Sequence, residues 1–85
     1  MTVSYKPSFI RQFRKLEPAL QQEAVEKIEL FRNPANHRGL GVHKLQGPLV
    51  GRWSFSVNFK YRIVFRYETK SEVALLAIGD HEIYR

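Results

Sequence analysis

Apolar positions along the chain change period near its middle, from a helical repeat to a strict alternation. The stretch TVSY alternates and is β-branched, which predicts a short first strand. Pro7 suits the first position of a helix, and Phe9, Ile10, Phe13 and Leu16 follow at i, i+1, i+4 and i+7. Arg11, Arg14 and Lys15 fall on the opposite side. Glu17–Pro18 ends this helix and opens a second, because the residue before a proline is pushed out of the α region. Leu20, Ala24, Ile28 and Phe31 repeat at helical spacing, and Val25 and Leu30 broaden the stripe. Glu23 and Lys27 are placed to pair at i,i+4. Asn33–Pro34 stops the second helix, so the hairpin ends there.

The second half reads differently. NPANHRGLG is a loop, and HKLQGPL holds one apolar residue before a Gly–Pro turn. From Val50 alternation sets in. Trp53, Phe55, Val57 and Phe59 share one face, and Arg52, Ser54, Ser56, Asn58 and Lys60 share the other. YRIVFRY predicts a further strand, with Tyr61, Ile63, Phe65 and Tyr67 opposite Arg62, Val64 and Arg66. TKSE is a turn. VALLAI is apolar on both faces, the mark of an interior strand. The expected fold is α+β in the order β-α-α-β-β-β, with two N-terminal helices packed on a small, mainly antiparallel sheet. The helices should cover the Trp53/Phe55 face and leave the Arg62/Arg66 face for a ligand. The 85 residues read as one domain, 1–85.

Charge sharpens this picture. The formal net charge is +6, and no acidic residue occurs between Glu29 and Glu68. That gap holds Arg32, Arg38, Lys44, Arg52, Lys60, Arg62 and Arg66. A single-sign block of this length favours a polyanion or an acidic protein partner. Cysteine is absent, so neither a disulfide framework nor a thiolate metal site is expected. No run approaches the roughly 20 apolar residues of a membrane span, and no secretory leader is visible. The expected compartment is the cytoplasm. His37, His43 and His81 lack zinc-site spacing, and no carboxylate cluster suits magnesium. No metal and no cofactor is expected.

One constellation can carry chemistry. Strand geometry puts Arg62 on the uncovered face. GDHEIYR follows the last strand, so His81 and Tyr84 can overhang that face. His43 and Lys44 precede the turn into the Trp53 strand and can reach the same concavity. A guanidinium, imidazoles, an ammonium and a phenol suit RNA cleavage by the RNA's own 2′-hydroxyl. That reaction needs a base for the hydroxyl, positive charge for the phosphorane and an acid for the departing 5′-oxygen. Histidine works as acid or base near neutrality, and arginine grips phosphate bidentately. His37 reads instead as loop surface, and Trp53 as core.

The ordered set KLQG, GRWSFSV, YRIVFRY and IGDHEIYR resembles the RelE/ParE superfamily of bacterial toxin–antitoxin toxins. Within it the chain is most similar to the RelE, YoeB and YafQ-type mRNA interferases. The resemblance covers nearly the whole chain. It implies a RelE-like fold, cofactor-free cleavage of mRNA at the ribosome, and a cognate antitoxin that blocks the toxin in a hetero-oligomer. It also implies that Arg62 holds the scissile phosphate, that His81 protonates the leaving oxygen and that Tyr84 orients the substrate. His43 or Lys44 then assists the 2′-hydroxyl. Lys60, Arg66, Arg52 and Arg38 supply RNA contacts. Ser56 and Lys60 stand where YafQ-like toxins carry a histidine and an aspartate. The antitoxin is expected to bring an acidic, partly disordered segment. Two other functions share these features: a ParE-like inhibitor of DNA gyrase, and a non-catalytic RNA- or ribosome-binding module.

Overall fold

A computed structural model describes residues 1–80. The chain runs β1 (Thr2–Tyr5), α1 (Pro7–Arg14), α2 (Pro18–Phe31), β2 (His43–Lys44), β3 (Trp53–Ser56), β4 (Arg62–Tyr67) and β5 (Glu72–Gly79). Proline occupies the start of each helix, where its missing N–H is no loss. Glu17 is extended at ψ 148°, which separates the two helices as the Glu–Pro step predicts.

The five strands form one sheet in the order β1-β5-β4-β3-β2. β1 lies parallel to β5, and the remaining pairs are antiparallel. β5 is therefore interior, as its two-sided apolar sequence requires. Register puts Phe55 opposite Ile63 and Trp53 opposite Phe65. The helices pack on this face. Phe31 at the end of α2 stacks on Phe55 at 4.2 Å and 8°, and meets Phe65 edge-on at 4.8 Å. All three rings are fully buried.

A bulge shapes the β4–β5 pairing. Val64 faces Ala77 and Phe65 faces Leu75, so Leu76 has no partner across the ladder. Side chains of α1 satisfy the backbone there. Ser8 Oγ donates to the Leu76 carbonyl at 2.6 Å, and the Ile78 N–H donates to Gln12 Oε1 at 3.0 Å. α1 is thereby fixed to β5 in both its first and its second turn.

Four expectations are corrected. The expected β-α-α-β-β-β order lacks one strand, because His43 and Lys44 form β2 and pair with Ser54 and Trp53. β3 stops at Ser56 rather than running to Lys60. Asn58 ends it: its Oδ1 accepts from the Lys60 and Tyr61 N–H groups and turns the chain. Phe59 consequently leaves the core face and is fully exposed. Glu23 and Lys27 do not pair with each other but strap this turn to α2. Lys27 Nζ donates to the Val57 carbonyl at 3.0 Å, and Asn58 Nδ2 donates to Glu23 at 2.8 Å. His37, read as loop surface, is half-buried and stacks on Phe31 at 4.7 Å.

Because one ring joins helix, sheet and loop, Phe31→Ala should lower unfolding stability by about 3–5 kcal/mol. Urea denaturation followed by circular dichroism measures this.

Candidate functional site

Arg62 opens β4 on the face away from the helices, paired with Ser56 of β3 and Gly79 of β5. Its guanidinium lies in a cradle of neutral oxygens. Nε donates to Ser54 Oγ at 3.0 Å, Nη1 to Ser56 Oγ at 2.6 Å, and Nη2 to the Gly41 carbonyl at 2.8 Å. Ser54 is fully buried, so its hydroxyl is fixed in place. Alternation along β3 puts both serines on the Arg62 side. A guanidinium has five N–H donors. Three are held by the protein, which leaves two for a ligand. Among the described residues no carboxylate pairs with Arg62. Among the described residues its charge is thus oriented but not neutralised.

The third arm of the cradle depends on the loop before β2. Gly41 takes φ +67°, a left-handed conformation that suits glycine. A Cβ there would sit 3.8 Å from both Arg62 Nη2 and Ser56 Oγ, an ordinary contact. The requirement for glycine is therefore conformational rather than steric. The loop itself is well tied. Leu40 is buried, its carbonyl accepts from the Ser56 N–H at 2.8 Å, and the Val42 N–H donates to the His37 carbonyl. His37 Nε2 donates in turn to the Phe31 carbonyl at 2.9 Å.

His43 stands beside the guanidinium. Its Nδ1 is 3.0 Å from the Gly41 carbonyl and 3.3 Å from Arg62 Nη2. Both contacts cannot be hydrogen bonds in one tautomer. A carbonyl only accepts, and the shorter contact is to the carbonyl, so Nδ1–H donates to Gly41. In the neutral ring the lone pair is then on Nε2, which suits a proton acceptor.

The predicted residues do not all converge. Arg62 and His43 come together. Lys44, one residue on, pairs with Trp53 on the opposite face, and its Nζ lies 5.5 Å from the indole centroid. Lys60 sits in the β3–β4 turn, its Nζ 5.7 Å from the Tyr61 ring centroid. Arg38 is exposed on the loop that carries Gly41, and its carbonyl accepts from the Gly41 N–H. Arg52 and Arg66 line a separate concavity on the Arg62 face. His81 and Tyr84 lie outside the described residues. Among those residues no group of three or more His, Asp or Glu is placed to hold a metal ion. Among the described residues no helix is long and apolar enough to cross a membrane.

Sequence reasoning missed Ser54 and Gly41 as parts of this site, and reached Ser56 only through the resemblance to YafQ-like toxins, without its role in holding Arg62. The signal for the serines was present, since small hydroxyls alternate in step with Arg52 and face an arginine strand. On the helix side, an apolar groove of about 330 Å³ runs between α1 and α2, lined by Tyr5, Phe9, Ile10, Phe13 and Val25.

The model of the ParE toxin of type II toxin–antitoxin systems, parDE, matches residues 3–83. The chain belongs to this toxin family, within the RelE/ParE superfamily, and is a type II toxin. No match was found among curated protein sequences. Solved structures share the fold. The RelBE2 toxin–antitoxin complex from Mycobacterium tuberculosis matches with a TM-score of 0.76 at 24% identity, over 94% of this chain and 90% of that one. The YoeB–YefM complex from Staphylococcus aureus matches at 0.72 and 15% identity, over 95% and 97%. The intact RelBE complex of E. coli matches at 0.70 and 16% identity, over 93% and 94%.

Gly41→Ala should cost about 1–2 kcal/mol of stability, the usual penalty for a left-handed non-glycine residue. Urea denaturation checks that cost. Faster exchange of the Arg62 Nε proton, read by NMR, checks that the cradle has loosened.

Proposed function

We propose that this toxin is a metal-independent endoribonuclease that cleaves mRNA at the ribosome and so inhibits translation. The observation that carries this reading is the Arg62 guanidinium, oriented by three neutral oxygens with donors to spare and His43 at its side. The chemistry follows. His43 Nε2 removes the proton of the 2′-hydroxyl, and the 2′-oxygen attacks the adjacent phosphorus. Arg62 stabilises the negative charge on the phosphorane oxygens. The bond to the 5′-oxygen breaks and that oxygen takes a proton, leaving a 2′,3′-cyclic phosphate and a 5′-hydroxyl. His81 supplies that proton in this scheme; in the sequence it follows Gly79, the Cα partner of Arg62, by two residues. Tyr84 orients the substrate. The facing of Lys44 toward Trp53 favours His43 over Lys44 as the base. Lys60, Arg66, Arg52 and Arg38 contribute positive field along the RNA path.

The same reading gives the toxin an antitoxin partner. The solved relatives include the complexes RelBE2, YoeB–YefM and RelBE. An acidic segment matches the net charge of +6, and an amphipathic helix matches the apolar groove between α1 and α2.

The ParE family match favours a second reading, inhibition of DNA gyrase. One assay pair separates the two. Primer extension on a defined mRNA in a reconstituted translation reaction should show discrete cuts, with supercoiling by gyrase unaffected. Arg62→Ala should reduce cleavage at least about 100-fold, the scale of losing a preorganised donor to a developing oxyanion. His43→Ala should lose about 10²–10⁴-fold, and more than Lys44→Ala. Unchanged cleavage by Arg62→Ala removes this reading. Inhibited gyrase without RNA cuts replaces it with the second.

A further inference from the structure

The sheet face that carries Arg62 has a second concavity further along β4, of about 500 Å³. Val64, Leu76 and Ala77 form its aliphatic floor, and Lys6, Arg52 and Arg66 stand around it. The bulge leaves Leu76 without a partner across the β4–β5 ladder. Beside it, the Lys6 N–H donates to the Leu75 carbonyl at 3.0 Å, which continues the parallel β1–β5 pairing past the Tyr5–Leu75 pair. The start of α1 is thereby held against β5, with its lysine at the rim.

The charges here call for an anion. Lys6 and Arg52 have no side-chain hydrogen bond or ion pair among the described residues. Arg66 meets Glu68 at 3.3 Å, but both side chains are about two-fifths exposed, which makes this a weak rim pair. Three cations around one apolar floor repel one another, and a bound anion relieves that repulsion. Position then narrows the ligand. Arg62, Val64 and Arg66 alternate on one face, so Arg62 and Arg66 are about 13 Å apart along the strand. One chain carrying regularly spaced negative charges can touch both. The floor between them offers a flat apolar surface for a base or ribose.

We propose that this concavity is a second RNA subsite, seating a nucleotide that flanks the scissile phosphate held at Arg62. The proposal rests on the endoribonuclease reading above. Its test uses a 2′-O-methyl RNA of about 12 nucleotides, which lacks the attacking hydroxyl. Fluorescence anisotropy follows binding across about 50–200 mM salt. The Lys6→Gln/Arg66→Gln double variant should lower the slope of log K against log salt by about 1.4, or about 0.7 for each lost phosphate contact. Lys6→Arg with Arg66→Lys, which keeps both charges, should retain the slope. Thermal melting reports on folding. If the double variant melts early, Lys6→Gln alone carries the test, with an expected fall of about 0.7.

The outcomes separate the two readings. A double variant that keeps the full slope, in a protein that still cuts mRNA, overturns the subsite and leaves the activity standing. A retained RNA slope with weakened binding of poly-glutamate assigns the concavity to an acidic protein segment and also overturns the proposal. An unaltered protein that neither binds the RNA nor cuts mRNA removes the endoribonuclease reading, and the subsite with it.

Discussion

Phe31 ends α2 with its ring between Phe55 of β3, at 4.2 Å, and His37 of the following loop, at 4.7 Å. This stack fixes three layers to one another, and the candidate site hangs from it. His37 is held twice, by its ring on Phe31 and by its Nε2 on the Phe31 carbonyl. The loop it anchors then delivers Gly41, whose carbonyl takes both the Arg62 Nη2 donor and the His43 Nδ1 donor. A core contact on one face of the sheet thus sets the position of a guanidinium on the other. Core side chains pack too densely for Phe31 to shift without moving that loop.

The two faces divide the chemistry. Helices cover the aromatic face, and Arg62, Arg66, Arg52 and Lys6 collect on the other, with Glu68 at its rim. The bulge at Leu76 matters here beyond local geometry. It offers α1 two backbone anchors, at the Leu76 carbonyl and the Ile78 N–H, beside Lys6, which its own bond to the Leu75 carbonyl holds at the charged face. A regular ladder would pair Leu76 across the sheet and leave Ser8 and Gln12 without these partners. The irregularity therefore links the helical layer to the electrostatics of the open face.

Much of this was legible in the chain. Helical spacing from Phe9 to Phe31 and alternation within Trp53–Ser56 and Arg62–Tyr67 carry strong periodic signals, and both survive folding. What failed was short or non-local. Two residues cannot display a period, so β2 goes unseen in the sequence. The parallel pairing of β1 with β5 joins segments about seventy residues apart and has no local signature. Phe59 continues the alternation of β3 but leaves the strand, because the Asn58 side chain turns the backbone first. Of the site, Arg62 and its face were readable from alternation. The opposite facing of His43 and Lys44 was not, because it depends on a two-residue strand whose register only its partner fixes. Gly41 was unreadable for a related reason: its role lies in a backbone carbonyl, which every residue type carries.

The choice of arginine at position 62 follows from donor arithmetic. A lysine has three donors on one rotating ammonium, and a cradle of three oxygens would occupy all of them. A guanidinium presents five in a rigid plane, so three can fix its orientation while two remain. The planarity also transmits the constraint: once Ser54 and Ser56 hold Nε and Nη1, the remaining N–H vectors have fixed directions. The acceptors are hydroxyls and a carbonyl rather than carboxylates, so the positive charge stays available to an incoming anion. Orientation by neutral oxygens and retention of charge are separate demands, and the serine pair with Gly41 meets both at one side chain.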